Sequence, residues 1–132
     1  MSEIFLLDTS AILAFMEKEA GDERVKSILK NETVFIPWPA LAEMFYITCR
    51  ERGEDVAELR YAMLKRSGAR LLWLANEAIL VTAGKIKAFH PVSFADAIIA
   101  AYAVHSNAIL VHKDPELEFL ANQVEMEILP YK

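Results

Sequence analysis

Cysteine is nearly absent. Cys49 is the only one in 132 residues, so no disulfide can form within the chain, which fits a reducing, cytoplasmic setting. No apolar run approaches the ~18 residues that span a bilayer, so no membrane association is expected. The first residues lack a basic stretch followed by an apolar segment and a small-residue cleavage site, so no secretory signal is expected either. Tandem repeats, low-complexity segments and Gly/Ser-rich linkers are missing too. At 132 residues the chain reads as a single domain, 1–132. Nor is there an excess of positive charge. Fourteen Lys and Arg stand against nineteen Asp and Glu, a net charge of −5. That balance counts against a passive nucleic-acid binder, which presents a basic face.

What the chain has in quantity is apolar surface. Hydrophobic residues make up 55% of it, enough for a packed core and too much for disorder. Short apolar runs at 4–7, 34–36, 71–74, 108–111 and 126–129 have strand length and little alternation, as strands covered on both faces do. Helix-period segments separate them. The first is 11–17, and a polar segment follows that opens at Gly21-Asp22-Glu23. The next is 38–52, with Pro39 suited to a first helical turn. Val56, Leu59, Met63 and Leu64 form one stripe, Ile79, Ala83 and Ile86 another, and 93–106 is an apolar helix. This alternation predicts an α/β fold, a parallel sheet between layers of helices with right-handed crossovers.

Four carboxylates interrupt this apolar pattern. Asp8 ends the run Ile4-Phe5-Leu6-Leu7, and Glu43 lies inside Ala40-Leu41-Ala42-Glu43-Met44-Phe45. Asp96 is the one charged residue between Phe94 and Val104, and Asp114 follows Val111 closely. Charges near buried surface are costly unless a cation or hydrogen bonds compensate. In parallel α/β folds, ligands gather at the carboxyl edge of the strands. Asp8 and Asp114 follow strands at that edge. Asp96 falls in the first turn of a helix that starts there, and Glu43 lies four residues past Pro39, about 6 Å along its helix. All four can therefore reach one crevice. Together they read as a site for a hard divalent cation, with metal-assisted phosphodiester cleavage as the chemistry. Bound cations would neutralise the cluster, so an acidic chain is compatible with acting on a phosphate backbone.

Each acid also has an ordinary explanation. Asp8 is placed to cap the helix near Ser10. Ser93-Phe94-Ala95-Asp96 resembles a capping box, with Asp96 favoured by the helix dipole. Asp114-Pro115 is a common turn or helix start. Glu43 is the hardest to explain this way, since its neighbours are apolar; an ion pair with Arg50 is the structural alternative. Ser10 either caps the helix or orients Asp8. His90, His105 and His112 show no metal-ligand spacing and read as surface or edge residues. Cys49 reads as a small buried hydrophobe, and Trp38 and Trp73 as core or interface. Arg50, Arg52, Lys85, Lys87 and Lys113 are cations placed to touch phosphate, with plain solvation as the default.

The segments Leu6-Leu7-Asp8-Thr9-Ser10-Ala11, Ala40-Leu41-Ala42-Glu43, Phe94-Ala95-Asp96-Ala97-Ile98-Ile99-Ala100-Ala101 and Leu110-Val111-His112-Lys113-Asp114 resemble, in order and spacing, the PIN-domain family. The small size resembles its VapC-type toxins. The resemblance covers nearly the whole chain and implies a three-layer α/β/α sandwich with a five-stranded parallel sheet of order 3-2-1-4-5. It implies a Mg²⁺- or Mn²⁺-dependent ribonuclease, with Asp8, Glu43, Asp96 and Asp114 as the acidic quartet and Ser10 at a frequent hydroxyl position. It further implies a homodimer, an RNA substrate and a small antitoxin partner whose tail enters the active-site groove. Around the fourth acid the chain departs from the pattern. His112 stands where many relatives have Thr or Ser, and Glu116 where they have Asp, which leaves the number of metal ions open.

On this reading Asp8 and Asp96 hold the principal ion, and Asp114 and Glu43 contribute directly or through water. Glu43 or Asp114 orients the attacking water, and the products carry 5′-phosphate and 3′-hydroxyl ends. Two other readings share the scaffold. A non-catalytic interaction module would use the acidic pocket to hold a basic tail. A phosphoacceptor signalling domain would need an acid at the end of the third strand, where Leu72-Trp73-Leu74-Ala75-Asn76 offers none.

Overall fold

The computed structural model describes residues 3–132. Five strands, β1 (Ile4–Leu7), β2 (Thr33–Pro37), β3 (Arg70–Leu72), β4 (Ile109–His112) and β5 (Met126–Ile128), form one sheet of order β3-β2-β1-β4-β5. Every neighbouring pair is parallel. Six helices connect them: α1 (Thr9–Met16), α2 (Asp22–Asn31), α3 (Trp38–Arg52), α4 (Glu54–Arg66), α5 (Glu77–Phe89) and α6 (Phe94–Ser106). A 3₁₀ helix, Pro115–Leu120, bridges β4 and β5. The parallel direction matches the alternation read from the sequence, and the order is the one that the family resemblance implies.

The strands lie where the apolar runs are because both faces of the sheet are covered. Leu6, Leu7, Ile36 and Leu110 are completely buried, each contributing about 1.5–3 kcal/mol relative to exposure. In α1 Ala11, Ile12 and Ala14 are buried, and in α6 burial runs round the helix, with Ala97 and every residue from Ile99 to Ala103 buried. The alanines let α6 lie close to its neighbours. Gly21 supplies the N-cap of α2 with φ +98°. A Cβ there would sit 3.0 Å from Leu129 Cβ, so the chain end after β5 packs directly on this turn.

Two expectations need correction. β3 ends at Leu72, although the apolar run continues to residue 74. Its partner β2 ends at Pro37, opposite Leu72, and α3 begins at the next residue. No strand remains to pair with Trp73 and Leu74, so both project outward. The α4 stripe also faces differently. Ala57, Arg60 and Leu64 are its buried residues, whereas Leu59 and Met63 are exposed. Arg60 replaces an apolar residue inside because Glu17 and Thr48 hydrogen-bond its guanidinium. The sheet order also removes the phosphoacceptor reading. Those domains use order 2-1-3-4-5 with the third strand in the middle, and here β3 is an edge strand.

Candidate metal centre

Pairing of β1 with β4 aligns Leu7 with Val111, and the Asp8 N–H donates to Val111 O at 3.2 Å. The ends of these two strands therefore lie side by side, and the acids following them share the carboxyl edge. Asp8 is almost wholly buried. As N-cap of α1, it accepts from the Ala11 N–H at 2.8 Å, and the Ser10 hydroxyl lies 2.8 Å from each of its oxygens. Ser10 in turn accepts the Lys113 N–H at 2.8 Å, which ties the loop after β4 to Asp8. Ser93 caps α6 by accepting from the Asp96 N–H at 3.1 Å, so Asp96 sits in the first turn at the same edge. Asp114 caps the 3₁₀ helix by accepting from the Glu116 N–H at 2.9 Å. The capping roles and the shared crevice are not alternatives. Asp8 and Asp114 cap helices that start at the carboxyl edge, so a capping role and a place at that edge are compatible.

The acids sense one another. Burial pushes the Asp8 carboxyl up to about 8; the Ala11 N–H and Ser10 oppose the rise, and Asp96 and Asp114 add to it. Burial also raises Asp96, to about 6, helped by Asp114, opposed by the Ser93 hydrogen bond, and raised further by Glu43 and Glu116. Carboxylate oxygens of Asp96, Asp114 and Glu116 lie within 4.8 Å of one another. Glu43 is half-buried and accepts a hydrogen bond from Thr9 Oγ1 at 2.5 Å. Asp96, Asp114 and Glu116 are thus the three whose carboxylate oxygens gather, while Asp8 and Glu43 lie outside that 4.8 Å group, near enough to couple electrostatically with it. Among the described residues no Lys, Arg or His forms a salt bridge with any of the five. An all-oxygen set with a buried member that has hydrogen bonds but no cation beside it fits a hard divalent cation.

Several side chains lie elsewhere than their local sequence indicated. Arg50 does not pair with Glu43; its guanidinium lies 5.2 Å from the centre of the Tyr46 ring. His112 is not an edge residue but is fully buried. Its Nδ1 accepts the Asp114 N–H at 3.1 Å and its Nε2 meets Met126 Sδ at 3.3 Å, so it braces the loop that carries Asp114. Burial lowers its pKa, consistent with a neutral ring. Trp38 and Trp73 are not core, being 39% and 55% exposed; with Leu41, Ala42, Phe45 and Tyr61 they line an apolar groove of about 380 Å³. Arg52 is engaged by Glu17, and Lys113 by Ala20 O and Glu19, which leaves Lys85 and Lys87 as solvated cations. Cys49 is half-buried and free. Sequence reasoning missed Thr9, and no local signal marks it, because its partner lies 34 residues away.

A doubly covered parallel sheet of order 3-2-1-4-5, with an acidic crevice where its central strands end, defines a distinct class of α/β/α domain. A family model for the PIN domain matches residues 5–122, and the chain belongs to that family. Among solved structures, VapBC2 of Rickettsia felis, bound to a promoter DNA fragment, contains a similar chain. Its TM-score is 0.76 at 18% identity, covering 96% of this chain and 99% of that one. VapC20 of Mycobacterium tuberculosis, a toxin that cleaves the sarcin–ricin loop, gives 0.74 at 19% identity, covering 97% and 100%. VapBC-1 of nontypeable Haemophilus influenzae gives 0.74 at 22%, covering 95% and 97%. What is shared at these identities is the fold. A search of curated proteins finds no match. No helix among the described residues is long and apolar enough to cross a membrane.

Proposed function

We propose that the chain is a divalent-metal-dependent endoribonuclease and the toxin of a toxin–antitoxin pair. The carrying observation is the gathering of the Asp96, Asp114 and Glu116 carboxylates, with Asp8 and Glu43 electrostatically coupled to them, without a basic partner among the described residues. Asp8 and Asp96 would hold the ion. Asp114 and Glu43 contribute directly or through water, and Ser10 orients Asp8. When bound, Mg²⁺ or Mn²⁺ supplies Lewis acidity and neutralises charge at the scissile phosphate. Glu43 or Asp114 accepts a hydrogen bond from the attacking water and aims it in line with the leaving oxygen. Cleavage of this kind leaves 5′-phosphate and 3′-hydroxyl ends and has no need of the 2′-hydroxyl as nucleophile.

RNA is the favoured substrate because the fold is that of VapC20, a sarcin–ricin-loop-cleaving toxin. The VapBC complexes of similar fold favour a small antitoxin as partner. A single cytoplasmic domain acting as a homodimer completes the reading. The test is cleavage of defined RNAs by purified protein. Activity should need Mg²⁺ or Mn²⁺, stop with EDTA, and be abolished in Asp8→Asn and Asp96→Asn. Activity retained in EDTA, or in both variants, overturns the proposal. A folded chain that binds the ion but cleaves no RNA would instead favour a non-catalytic module.

A further inference from the structure

Glu43 has a hydrogen-bond partner outside the acidic set. Thr9, 8% exposed, is the first residue of α1, and its Oγ1 donates to Glu43 Oε1 on α3 at 2.5 Å. That distance lies at the short end for a hydroxyl bound to a carboxylate, the stronger class of hydrogen bond. Thr at a helix start commonly spends its hydroxyl on a backbone N–H, but here Asp8 takes that role by accepting from Ala11, so the Thr9 hydroxyl is free for Glu43. Threonine is also stiff at χ1, whereas glutamate has three rotatable side-chain bonds and considerable freedom to lose. No cation among the described residues pairs with Glu43, so Thr9 is its one hydrogen-bonding anchor there. With Oε1 engaged, Oε2 is the oxygen left over, and Glu43 lies near enough to Asp96 to raise that carboxyl.

We infer that Thr9 is a positioning residue, whose hydroxyl holds the Glu43 carboxylate so that one oxygen, Oε2, is presented to the crevice. The inference rests on the metal-centre reading above. The test is Mn²⁺ affinity, measured by calorimetry on the full chain, together with the melting temperature of the metal-free protein. Thr9→Val keeps the branched shape and loses the hydroxyl. It should bind Mn²⁺ about 10-fold more weakly, the usual scale for a group that orients a ligand. Thr9→Ser should restore affinity, and in a Glu43→Ala background Thr9→Val should add nothing.

Unchanged affinity in folded Thr9→Val, or an equal further loss in the Glu43→Ala background, overturns the inference and leaves the metal centre standing. A lower melting temperature with wild-type affinity assigns Thr9 a structural role and overturns it as well. Thr9→Ala repeats the comparison if the valine variant does not fold, and failure of both to fold counts against it. Wild-type protein that binds no Mn²⁺ overturns the metal centre itself.

Discussion

Asp8 is the side chain in which stability and chemistry oppose each other. Its pKa is 3.8 unperturbed and about 8 when folded, and that of Asp96 is about 6. Between the two values the folded chain binds protons that the unfolded chain has released, so stability falls as pH rises. In EDTA, the melting temperature should drop between pH 4 and pH 8, with the Asp96 share complete near pH 6. Asp8→Asn keeps an oxygen for the Ala11 N–H and removes the buried charge. It should raise the metal-free melting temperature at pH 8 by a few degrees, on the order of 1 kcal/mol for a domain of this size, and flatten the pH profile, while cleavage is lost. A melting curve independent of pH would contradict the burial of this carboxylate. These acids were legible in the sequence because each interrupts an apolar pattern at a place the strand direction makes meaningful. Thr9 and His112 were not, because their roles come from contacts across the fold, Glu43 for one and Met126 for the other.

Secondary structure was legible wherever local pattern and tertiary demand agree. Helix 38–52 begins and ends as expected because Pro39 suits its first turn and Gly53 follows its last. β3 stops early because strand length depends on a partner, and Pro37 ends that partner. The inward face of α4 was hidden because Arg60, a charged residue, is its buried anchor. Arg60 donates to both Glu17 oxygens and to Thr48, whereas Arg52 grips Glu17 from a solvent-exposed position. Urea denaturation should therefore separate the two arginines. Arg60→Ala should cost about 1–2 kcal/mol, since it removes a buried side chain and its charge-assisted hydrogen bonds to Glu17, and Arg52→Ala no more than about 1 kcal/mol. Together these arginines hold the Glu17 carboxyl down at about 2. Their contribution should persist above pH 4.5 and disappear as pH falls towards 2. At the start of α6, Ser93→Ala removes a cap worth about 1 kcal/mol from the turn that carries Asp96.

For the molecule as a whole, folding and ion binding are one linked equilibrium under the proposed metal centre, because like charges cluster at the carboxyl edge of the sheet in a net-negative chain. Mg²⁺ at one hundred times its dissociation constant should add about 2.7 kcal/mol to unfolding free energy, seen as a rise in melting temperature that EDTA reverses and Asp8→Asn with Asp96→Asn abolishes. No rise in the wild type would remove the metal from the account. The frame around that ion is stiff in one direction. α1 and α3 are cross-tied twice, Thr9 to Glu43 near the crevice and Glu17 to Arg52 at the far end. The ties are eight residues apart on one helix and nine on the other, so the two helices run side by side like the rails of a ladder, with rungs about 12 Å apart. Sliding one rail past the other would break both rungs at once. Glu43 therefore sits on a helix tied at its near end to the one that Asp8 caps, so a shift of α3 along α1 must first break the Thr9 hydrogen bond.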